Sequence, residues 1–160
     1  MAEFKTNVMR VLEQKKIKYM AHEYDHGEEA VDGVTVAEIC GQNPAQVFKT
    51  LIAQGVSKKV YVFVIPVAMK LELKQAAKAV GEKSIAMVHV NEINALTGYV
   101  RGGCSPIGIK KKYTTIYHSS IKEHETVMVS AGKIGYQVEL APDDLIKLTN
   151  GRTADIASEE

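Results

Sequence analysis

The sequence predicts an α+β fold in a single domain covering residues 1–160. Segments with helical periodicity and segments typical of strands follow one another irregularly, without the strand–helix alternation of a doubly wound parallel sheet. Two long apolar segments, 47–53 and 60–65, are separated by a short polar turn, which is typical of an antiparallel strand pair. A chain of 160 residues also suffices for one domain that buries roughly 70% of the surface of its unfolded chain.

Five segments are predicted to be helical from their apolar periodicity and their end signals. In the first, Phe4 and Val8 begin a series of apolar residues at helical spacing. Thr35 is expected to open a capping box at the start of the second helix, and Gly41 to end that helix. Asn91 is expected to cap the fourth. The predicted helices cover residues 3–15, 36–40, 71–80, 91–96 and 142–150.

Seven segments are predicted to be strands. In the first, Ile17, Tyr19 and Ala21 alternate with polar residues, and an acidic loop is expected to follow at 25–29. The run 47–53 is apolar on both alternating faces, which predicts a central strand covered on both sides. The predicted strands cover residues 17–24, 47–53, 60–65, 84–90, 114–117, 126–130 and 136–140.

The overall composition argues against several classes of function. The formal net charge is only +1, so the chain is not expected to coat nucleic acid through its overall field, and only a local basic patch stays open. The start lacks a signal-peptide core and no apolar run approaches 18 residues, so we expect a soluble, cytoplasmic protein without a membrane partner. Cys40 and Cys104 are too few for a disulfide framework or a cysteine-based zinc site.

Lys49 lies in the middle of the apolar run, on the same face as Val47 and Leu51. An ammonium group is almost never fully buried without a partner, because removing its charge from water is costly. Lys49 is therefore expected to pair with a carboxylate, to line a cleft that admits solvent, or to await an anionic ligand. The cleft with a ligand is our working hypothesis. A lysine on an edge strand that reaches out to water is the alternative.

Residues 97–108 contain four glycines and a proline, which predicts a loop that turns tightly or approaches another group closely. The loop matches neither GxGxxG nor the phosphate-binding loop of nucleotide hydrolases. The backbone N–H groups of Gly102 and Gly103 are candidate donors to an oxyanion or a phosphate. An ordinary tight turn remains the alternative.

Cysteine and histidine residues carry no recognisable catalytic or metal-binding pattern. Cys104 lies in the glycine loop, but no matching histidine base is recognisable, so we interpret it as a packing residue rather than a nucleophile. His22 and His26 lie four residues apart on a strand that runs into a loop, about 13 Å apart if the chain is extended. We therefore predict surface histidines, no metal site and no cofactor.

Four segments together resemble the YbaK/EbsC family. They are KYMAHEYDH (18–26), GQNPAQVFKTL (41–51), TGYVRGGCSPIG (97–108) and SAGKIG (130–135). Their order and spacing match over essentially the whole chain, and the nearest group is the free-standing Cys-tRNA(Pro)/Cys-tRNA(Cys) deacylases. The resemblance implies a compact, mixed and mostly antiparallel sheet that curls toward a barrel and is surrounded by helices. The editing domain associated with prolyl-tRNA synthetase has the same fold.

The resemblance also implies roles for individual residues. Its catalytic residues are Lys49, Gly102 and Gly103, and its substrate-binding residues are Tyr24, Thr50, Ser105, Ser130 and Gly132. Contacts with the tRNA are expected from Arg101, Lys110, Lys111, Lys112 and Lys133, although the lysine triplet also fits a solvated turn. Gln137 stands where relatives have an acidic residue, so a carboxylate for the pocket would have to come from elsewhere.

The activity implied by the resemblance is removal of cysteine that prolyl-tRNA synthetase has attached to proline tRNA. The thiol of the substrate attacks its own ester carbonyl, and the protein contributes positioning and electrostatic stabilisation. The expected partners are the 3′ end of proline tRNA and, as a further candidate, prolyl-tRNA synthetase. Three alternatives stay open: an Ala-tRNA(Pro) deacylase of the same fold, a non-catalytic module that binds tRNA or a synthetase, and a general thiol-ester or nucleotide-binding protein.

Overall fold

The computed structural model of the protein describes residues 5–25 and 32–159. Helices α1–α5 span Asn7–Gln14, Gly33–Cys40, Leu73–Val80, Ile93–Thr97 and Pro142–Leu148. Strands β1–β10 span Met20–Glu23, Phe48–Gly55, Val60–Pro66, Met69–Leu71, Ile85–Met87, Thr114–His118, Val127–Ser130, Tyr136–Leu140, Arg152–Ala154 and Ala157–Glu159. Short 3₁₀ turns cover Pro44–Gln46, Val90–Glu92 and Ser119–Glu123.

The strands form a mixed arrangement, which confirms the predicted α+β class. A five-stranded sheet has the order β5-β2-β3-β6-β9, in which β2 is antiparallel to both neighbours and β6 is parallel to both of its own. A second, antiparallel sheet has the order β1-β8-β7, and β4 pairs with β10. A parallel bridge between Val47 and Met128 joins the start of β2 to β7. Through this bridge the two larger sheets meet where β2 begins.

Strand β2 has apolar residues packed on both faces, as predicted. Phe48 and Ile52 belong to one core cluster, which also contains Leu12 of α1. Ala53 belongs to another cluster, which also contains Ala76 of α3. Complete burial of a side chain such as Ile52 contributes roughly 1.5–3 kcal/mol to stability. Packing on both faces therefore holds the strand firmly.

The two edges of β2 differ. All of the strand from Phe48 to Gln54 is paired with β3, whereas β5 pairs only with Ala53, Gln54 and Gly55. Between the Val47 bridge and Ala53, β2 therefore has a neighbouring strand on one edge only, within the described residues. Lys49 lies in this stretch.

The start of α2 differs from the predicted capping box. The helix begins at Gly33 rather than near Val36, and Asp32 is its N-cap. The Asp32 carboxylate accepts hydrogen bonds from the Thr35 N–H (3.0 Å) and from the Thr35 hydroxyl (2.9 Å). Thr35 thus lies inside the first turn, because an aspartate three residues earlier satisfies its donors. The predicted end at Gly41 is confirmed, and its φ of 66° is left-handed.

Several other boundaries differ from the sequence prediction. Strands β4, β9 and β10 were not predicted, since three residues are too few to show a periodicity. The predicted strand 84–90 shrinks to β5, and Asn91 lies within a 3₁₀ turn instead of capping a helix. The first two residues of the predicted helix 3–15, and all of the predicted acidic loop except Asp25, lie outside the described residues. No helix in the described part of the chain is long and apolar enough to cross a membrane.

A chain of hydrogen bonds crosses the sheet β1-β8-β7. His22 Nε2 lies 2.7 Å from Glu139 Oε1, and the Thr126 hydroxyl donates to Glu139 Oε2. Gln46 Nε2 donates to the Thr126 carbonyl at 2.8 Å. The carboxylate thus joins β1 to β8 and connects both to the turn that leads into β2. Among the described residues, no cluster of His, Cys, Asp or Glu could hold a metal, and His26 lies outside them.

We predict that Glu139→Gln destabilises the fold at neutral pH but not in acid. Hydrogen bonds from Thr126 and then His22 lower the pKa of Glu139 below its ordinary value. A carboxyl group with a lowered pKa stabilises the folded state above its unfolded pKa, and this contribution is lost as the pH falls through the folded pKa. Hydrogen bonds to a charged group contribute about 1.5–3 kcal/mol, and we expect a loss of this order near pH 7, since both side chains are less than one-third exposed.

Urea denaturation of wild type and variant at neutral pH and near pH 3 measures this difference. Glu125→Gln is the control, because Glu125 is exposed. A stability difference that is equal at both pH values would show that the ionised carboxylate is not responsible.

Candidate active site

A cavity of about 810 Å³ opens beside the part of β2 that has a single neighbouring strand. Its walls come from four places: β2 and the residue before it, the start of α2, the glycine loop, and the sheet β1-β8-β7 near Ser130. The polar residues of the wall are Tyr24, Asp32, Lys49, Thr50, Arg101, Ser130, Tyr136 and Gln137. Six of the predicted site residues thus line one cavity: Tyr24, Lys49, Thr50, Arg101, Gly102 and Ser130.

Lys49 is half-buried in the cavity wall and forms no ion pair with any described carboxylate. The carboxylate of Asp32 also lines the cavity, but both of its oxygens accept hydrogen bonds from Thr35. These bonds lower the pKa of Asp32, the one from the Thr35 backbone most. The Thr50 hydroxyl, next to Lys49 in sequence, is buried without a hydrogen-bond partner. This wall therefore offers a cation and an unsatisfied hydroxyl to a ligand.

In the glycine loop, Gly102 and Gly103 have different environments. Gly102 lines the cavity with a φ of 86°, a left-handed conformation that favours glycine. Among the described residues its N–H has no hydrogen-bond acceptor. The Gly103 N–H instead donates to the Val100 carbonyl at 3.0 Å, and a Cβ on Gly103 would lie 3.0 Å from the Ile134 nitrogen. Of the two predicted donors, only the Gly102 N–H thus remains available to a ligand.

Cys104 lies in the cavity wall but is not an activated nucleophile. Its side chain is buried, and burial raises the pKa of the thiol to about 11, although a hydrogen bond with Thr97 acts in the opposite direction. A thiol with that pKa is almost entirely protonated at neutral pH, and the thiolate is the reactive form. The interpretation of Cys104 as a packing residue is consistent with this environment.

Ser130 and Gly132 act together at the end of β7. The Gly132 N–H donates to Ser130 Oγ at 3.1 Å, which leaves the hydroxyl hydrogen of Ser130 available. Gly132 has a φ of 89°, and a Cβ there would lie 2.8 Å from a ring carbon of Tyr99. Gly132 therefore orients a wall residue from outside the cavity, whereas a direct contact with substrate had been expected.

Several other predicted residues lie elsewhere. Ser105 is fully buried, and its hydroxyl accepts a hydrogen bond from the Ile107 N–H, so it is not part of the wall. Lys110, Lys111 and Lys112 are exposed outside the wall, and Lys110 Nζ lies 3.4 Å from the Ala95 carbonyl oxygen. Lys133 Nζ lies 5.7 Å from the centre of the Tyr136 ring, which itself lines the cavity. Lys133 thus lies beside a residue of the wall.

Sequence reasoning missed the wall formed by α2. Asp32, Gly33, Val34 and Val36 all line the cavity, but the capping box had been placed at Thr35. An aspartate three residues before a threonine is itself an N-cap signal and was present in the sequence. The contact of this helix with the cavity had no signal in the sequence, because it depends on tertiary packing.

Comparisons with known proteins give the class of this protein. Residues 28–148 match the model of the aminoacyl-tRNA editing domain. The chain is 43% identical over 156 residues to EbsC of Enterococcus faecalis (strain ATCC 700802 / V583), covering 98% of this chain and 95% of that protein. The name of that relative provisionally assigns it Cys-tRNA(Pro)/Cys-tRNA(Cys) deacylase activity. The chain belongs to the aminoacyl-tRNA editing domain family, which confirms the resemblance noted in its sequence.

Solved structures share its fold. The crystal structure of the hypothetical protein APE2540 has a TM-score of 0.85 at 21% identity, covering 96% of this chain and 100% of that one. A protein provisionally described as a trans-editing enzyme for prolyl-tRNA synthetase has a TM-score of 0.81 at 21% identity, covering 97% and 99%. At these identities the similarity establishes the fold alone, and it confirms the predicted editing-domain architecture.

We predict that alkylation of Cys104 is very slow at neutral pH. In a Cys40→Ser background, the reaction with iodoacetamide should accelerate steadily as the pH is raised toward 11, because the raised pKa keeps the thiolate scarce below that value. The same protein unfolded in urea is the control, with a thiol pKa near the ordinary value of about 8.5. Mass spectrometry measures the modified fraction. If the folded protein is alkylated as rapidly as the unfolded one at pH 7, the thiol is activated and our interpretation is wrong.

Proposed function

We propose that this protein is a deacylase that removes cysteine from Cys-tRNA(Pro) in trans, with the substrate's own thiol as the nucleophile. The observation that carries the proposal is Lys49, a half-buried cation without an ion pair to a described carboxylate, in a cavity with a free Gly102 N–H. Membership of the editing family and 43% identity to a relative named for this activity support it.

The basic residues of the cavity fit the 3′ end of a tRNA. Lys49 and Arg101 both line the wall, so either can contact a phosphate or the terminal ribose of a bound tRNA. Lys133, beside Tyr136, and the exposed lysines 110–112 can contact phosphates further along the acceptor stem. Such contacts release counterions, so binding should weaken as salt is added.

The reaction step needs no nucleophile from the protein. The cysteine thiol of the substrate loses its proton, and its sulfur forms a bond with the ester carbonyl carbon. The carbon–oxygen bond to the ribose then breaks, and the ribose oxygen leaves with a proton as the free 3′ end of the tRNA. Water later opens the resulting thiolactone to cysteine. Holding thiol and ester together supplies a large effective concentration.

The described residues have defined parts in this step. The Gly102 N–H, which has no acceptor among the described residues, donates in this proposal to the oxyanion that forms on the carbonyl oxygen. Lys49 holds the nucleotide end, so that the acyl group is directed to the wall that contains Thr50 and Ser130. Cys104 remains protonated and does not compete with the substrate thiol. Selectivity therefore comes largely from the substrate itself.

We further propose that the protein acts in the cytoplasm and that prolyl-tRNA synthetase is its partner in trans. The fold shared with a provisionally described trans-editing enzyme for that synthetase supports the partner. Co-purification with prolyl-tRNA synthetase, and a higher rate of deacylation when the synthetase is added, would be the expected results. An unchanged rate and no complex would mean that the protein works on free tRNA.

We predict that Lys49→Ala lowers kcat/KM for Cys-tRNA(Pro) by at least about 100-fold, or about 2.7 kcal/mol of transition-state stabilisation. The reason is that Lys49 holds the substrate in the reactive position. Single-turnover deacylation measures the loss, and thermal unfolding checks the fold. Lys74→Ala on the exposed face of α3 is the control and should keep the wild-type rate. An unchanged rate for Lys49→Ala would remove Lys49 from the mechanism.

We also predict that the substrate must carry a thiol. Ser-tRNA(Pro) and Ala-tRNA(Pro) should be deacylated at least about 100-fold more slowly than Cys-tRNA(Pro), because a hydroxyl or a methyl group cannot replace the thiolate. The three charged tRNAs are compared under single-turnover conditions at saturating protein. Equal rates would indicate an activated water as the nucleophile and favour the alternative of an Ala-tRNA(Pro) deacylase.

A further inference from the structure

Beyond the residues that touch the nucleotide, the geometry points to Gln42 as a positioning residue that determines what the cavity recognises. We propose that Gln42 holds the Gln137 side chain with its amide nitrogen directed to the cavity. The cavity then recognises a hydrogen-bond acceptor, an oxygen of the aminoacyl ester, at this place. The inference rests on the proposed function, because it names the chemical group of the substrate that the same cavity would bind.

Gln137 is a buried residue of the cavity wall. It is only 4% exposed and lies in β8, opposite His22 of β1 and opposite Ser130 of β7. Strands on both sides therefore fix its backbone, and directly opposite residues share one face of the sheet. The face that carries Ser130 is the one that borders the cavity. Gln137 is thus a polar side chain held firmly beside the space where a substrate would bind.

Gln42 reaches Gln137 from the end of α2. Its Nε2 donates to Gln137 Oε1 at 2.9 Å, across 95 positions of sequence. The backbone of Gln42 is fixed as well, because its N–H donates to the Ala37 carbonyl at 2.8 Å in the turn that ends the helix at Gly41. The donor of this hydrogen bond is therefore presented from a rigid position.

This hydrogen bond sets the direction of the Gln137 amide. Its oxygen is occupied by Gln42, and its nitrogen has no partner among the described residues. The reversed arrangement would leave the Gln42 amide nitrogen as the buried group without a partner, in place of the oxygen that is unsatisfied now. Buried donors without partners are rarer than under-satisfied acceptors. The arrangement with the Gln137 nitrogen toward the cavity is therefore favoured.

The charged and backbone donors of the wall favour a ligand group that accepts hydrogen bonds, whereas the wall hydroxyls can both donate and accept. Lys49, Arg101 and the Gly102 N–H are all donors, and both oxygens of Asp32 are already used. A neutral amide N–H₂ adds a donor without adding charge. The ester carbonyl oxygen and the ribose oxygens of an aminoacylated adenosine are acceptors of this kind. Gln42 acts on them only through Gln137, so it is a positioning residue.

The test changes the hydrogen-bonding character of residue 42 in three ways. Gln42→Lys keeps a donor, Gln42→Met removes hydrogen bonding at similar length, and Gln42→Glu supplies only an acceptor. Gln46 provides the matched control series Gln46→Lys, Gln46→Met and Gln46→Glu. It is also a half-buried glutamine that donates to a distant backbone carbonyl, that of Thr126 just before β7, but it is not part of the cavity wall. The two series make the same changes of charge four residues apart.

Two measurements are made on each variant. One is single-turnover deacylation of Cys-tRNA(Pro). The other is the Kd, measured by calorimetry, for a probe in which cysteine is joined to the 3′ position of adenosine by a non-hydrolysable amide. The probe separates the inference from the proposed function. A wild-type protein that binds the probe but does not deacylate the tRNA would refute the function and leave the Gln42 series to be measured by Kd.

We expect Gln42→Lys to bind the probe within about threefold of wild type, Gln42→Met about tenfold more weakly and Gln42→Glu at least about 30-fold more weakly. The Gln46 variants should all remain within about threefold. The opposite order at residue 42, with the glutamate variant binding best, would show that the amide oxygen faces the ligand and would overturn the proposal. Equal effects of the two series, or no binding of the probe by wild type, would overturn it as well.

A pH profile distinguishes positioning from a structural role. In Gln137→Glu, one carboxylate oxygen can still accept from Gln42, but the other offers no donor to the ligand while it is ionised. Protonation restores an O–H donor, so this variant should bind a 3-mercaptopropionyl form of the probe, which lacks the α-ammonium group that an ionised carboxylate would attract, more strongly as the pH is lowered from 7 to 5, relative to wild type. A variant whose binding relative to wild type is the same at both pH values would contradict a donor at this position.

Discussion

The structure depends on how strand β2 accommodates Lys49. A charged amine within an apolar strand is costly unless it has a partner or keeps access to water. β2 meets this requirement because its second neighbour, β5, reaches only as far as Ala53. Lys49 also lines a cavity, and the helix α2, the glycine loop and the end of β7 form other parts of its walls. The cavity thus lies beside the part of β2 that β5 does not pair with.

The loops around the cavity are shaped by glycines that bring backbone groups close together. Gly103 packs against the turn at 133–134 so closely that a Cβ would require a shift, and this contact places Gly102 at the cavity. Gly132, in the loop after β7, also allows a close approach. It fits beside Tyr99 of the glycine loop, and its N–H donates to the Ser130 hydroxyl. The two loops thus support each other, which explains how an isolated N–H and a hydroxyl can be held in place without a regular helix or strand.

Much of this arrangement was predictable from local patterns, and the rest depended on contacts between distant parts of the chain. The apolar run around Lys49 predicted a central strand with an unusual charge, and the cluster of glycines predicted a loop with a close approach. The sequence pattern could not show that the Gly103 N–H donates a hydrogen bond to the Val100 carbonyl within the loop, or that Ser105 is fully buried. The hydrogen bond between Gln42 and Gln137 joins residues 95 positions apart and could not be predicted from the sequence either. Sequence patterns identify residues with unusual chemistry, whereas tertiary packing decides which of their atoms can still bind a ligand.

The chemistry of the site is consistent with an enzyme that leaves the nucleophile to its substrate. The thiol in the cavity wall is kept protonated by burial, and the carboxylate there is committed to capping a helix. A protein nucleophile, or a general base that activates a water molecule, would also cleave correctly charged aminoacyl-tRNAs with other side chains. A cavity that offers mainly donors and a cation can bind the common part of every aminoacyl-tRNA and still accelerate the reaction only where the side chain brings a thiol. In the proposed mechanism, the selectivity of cleavage would therefore come from the thiol of the substrate.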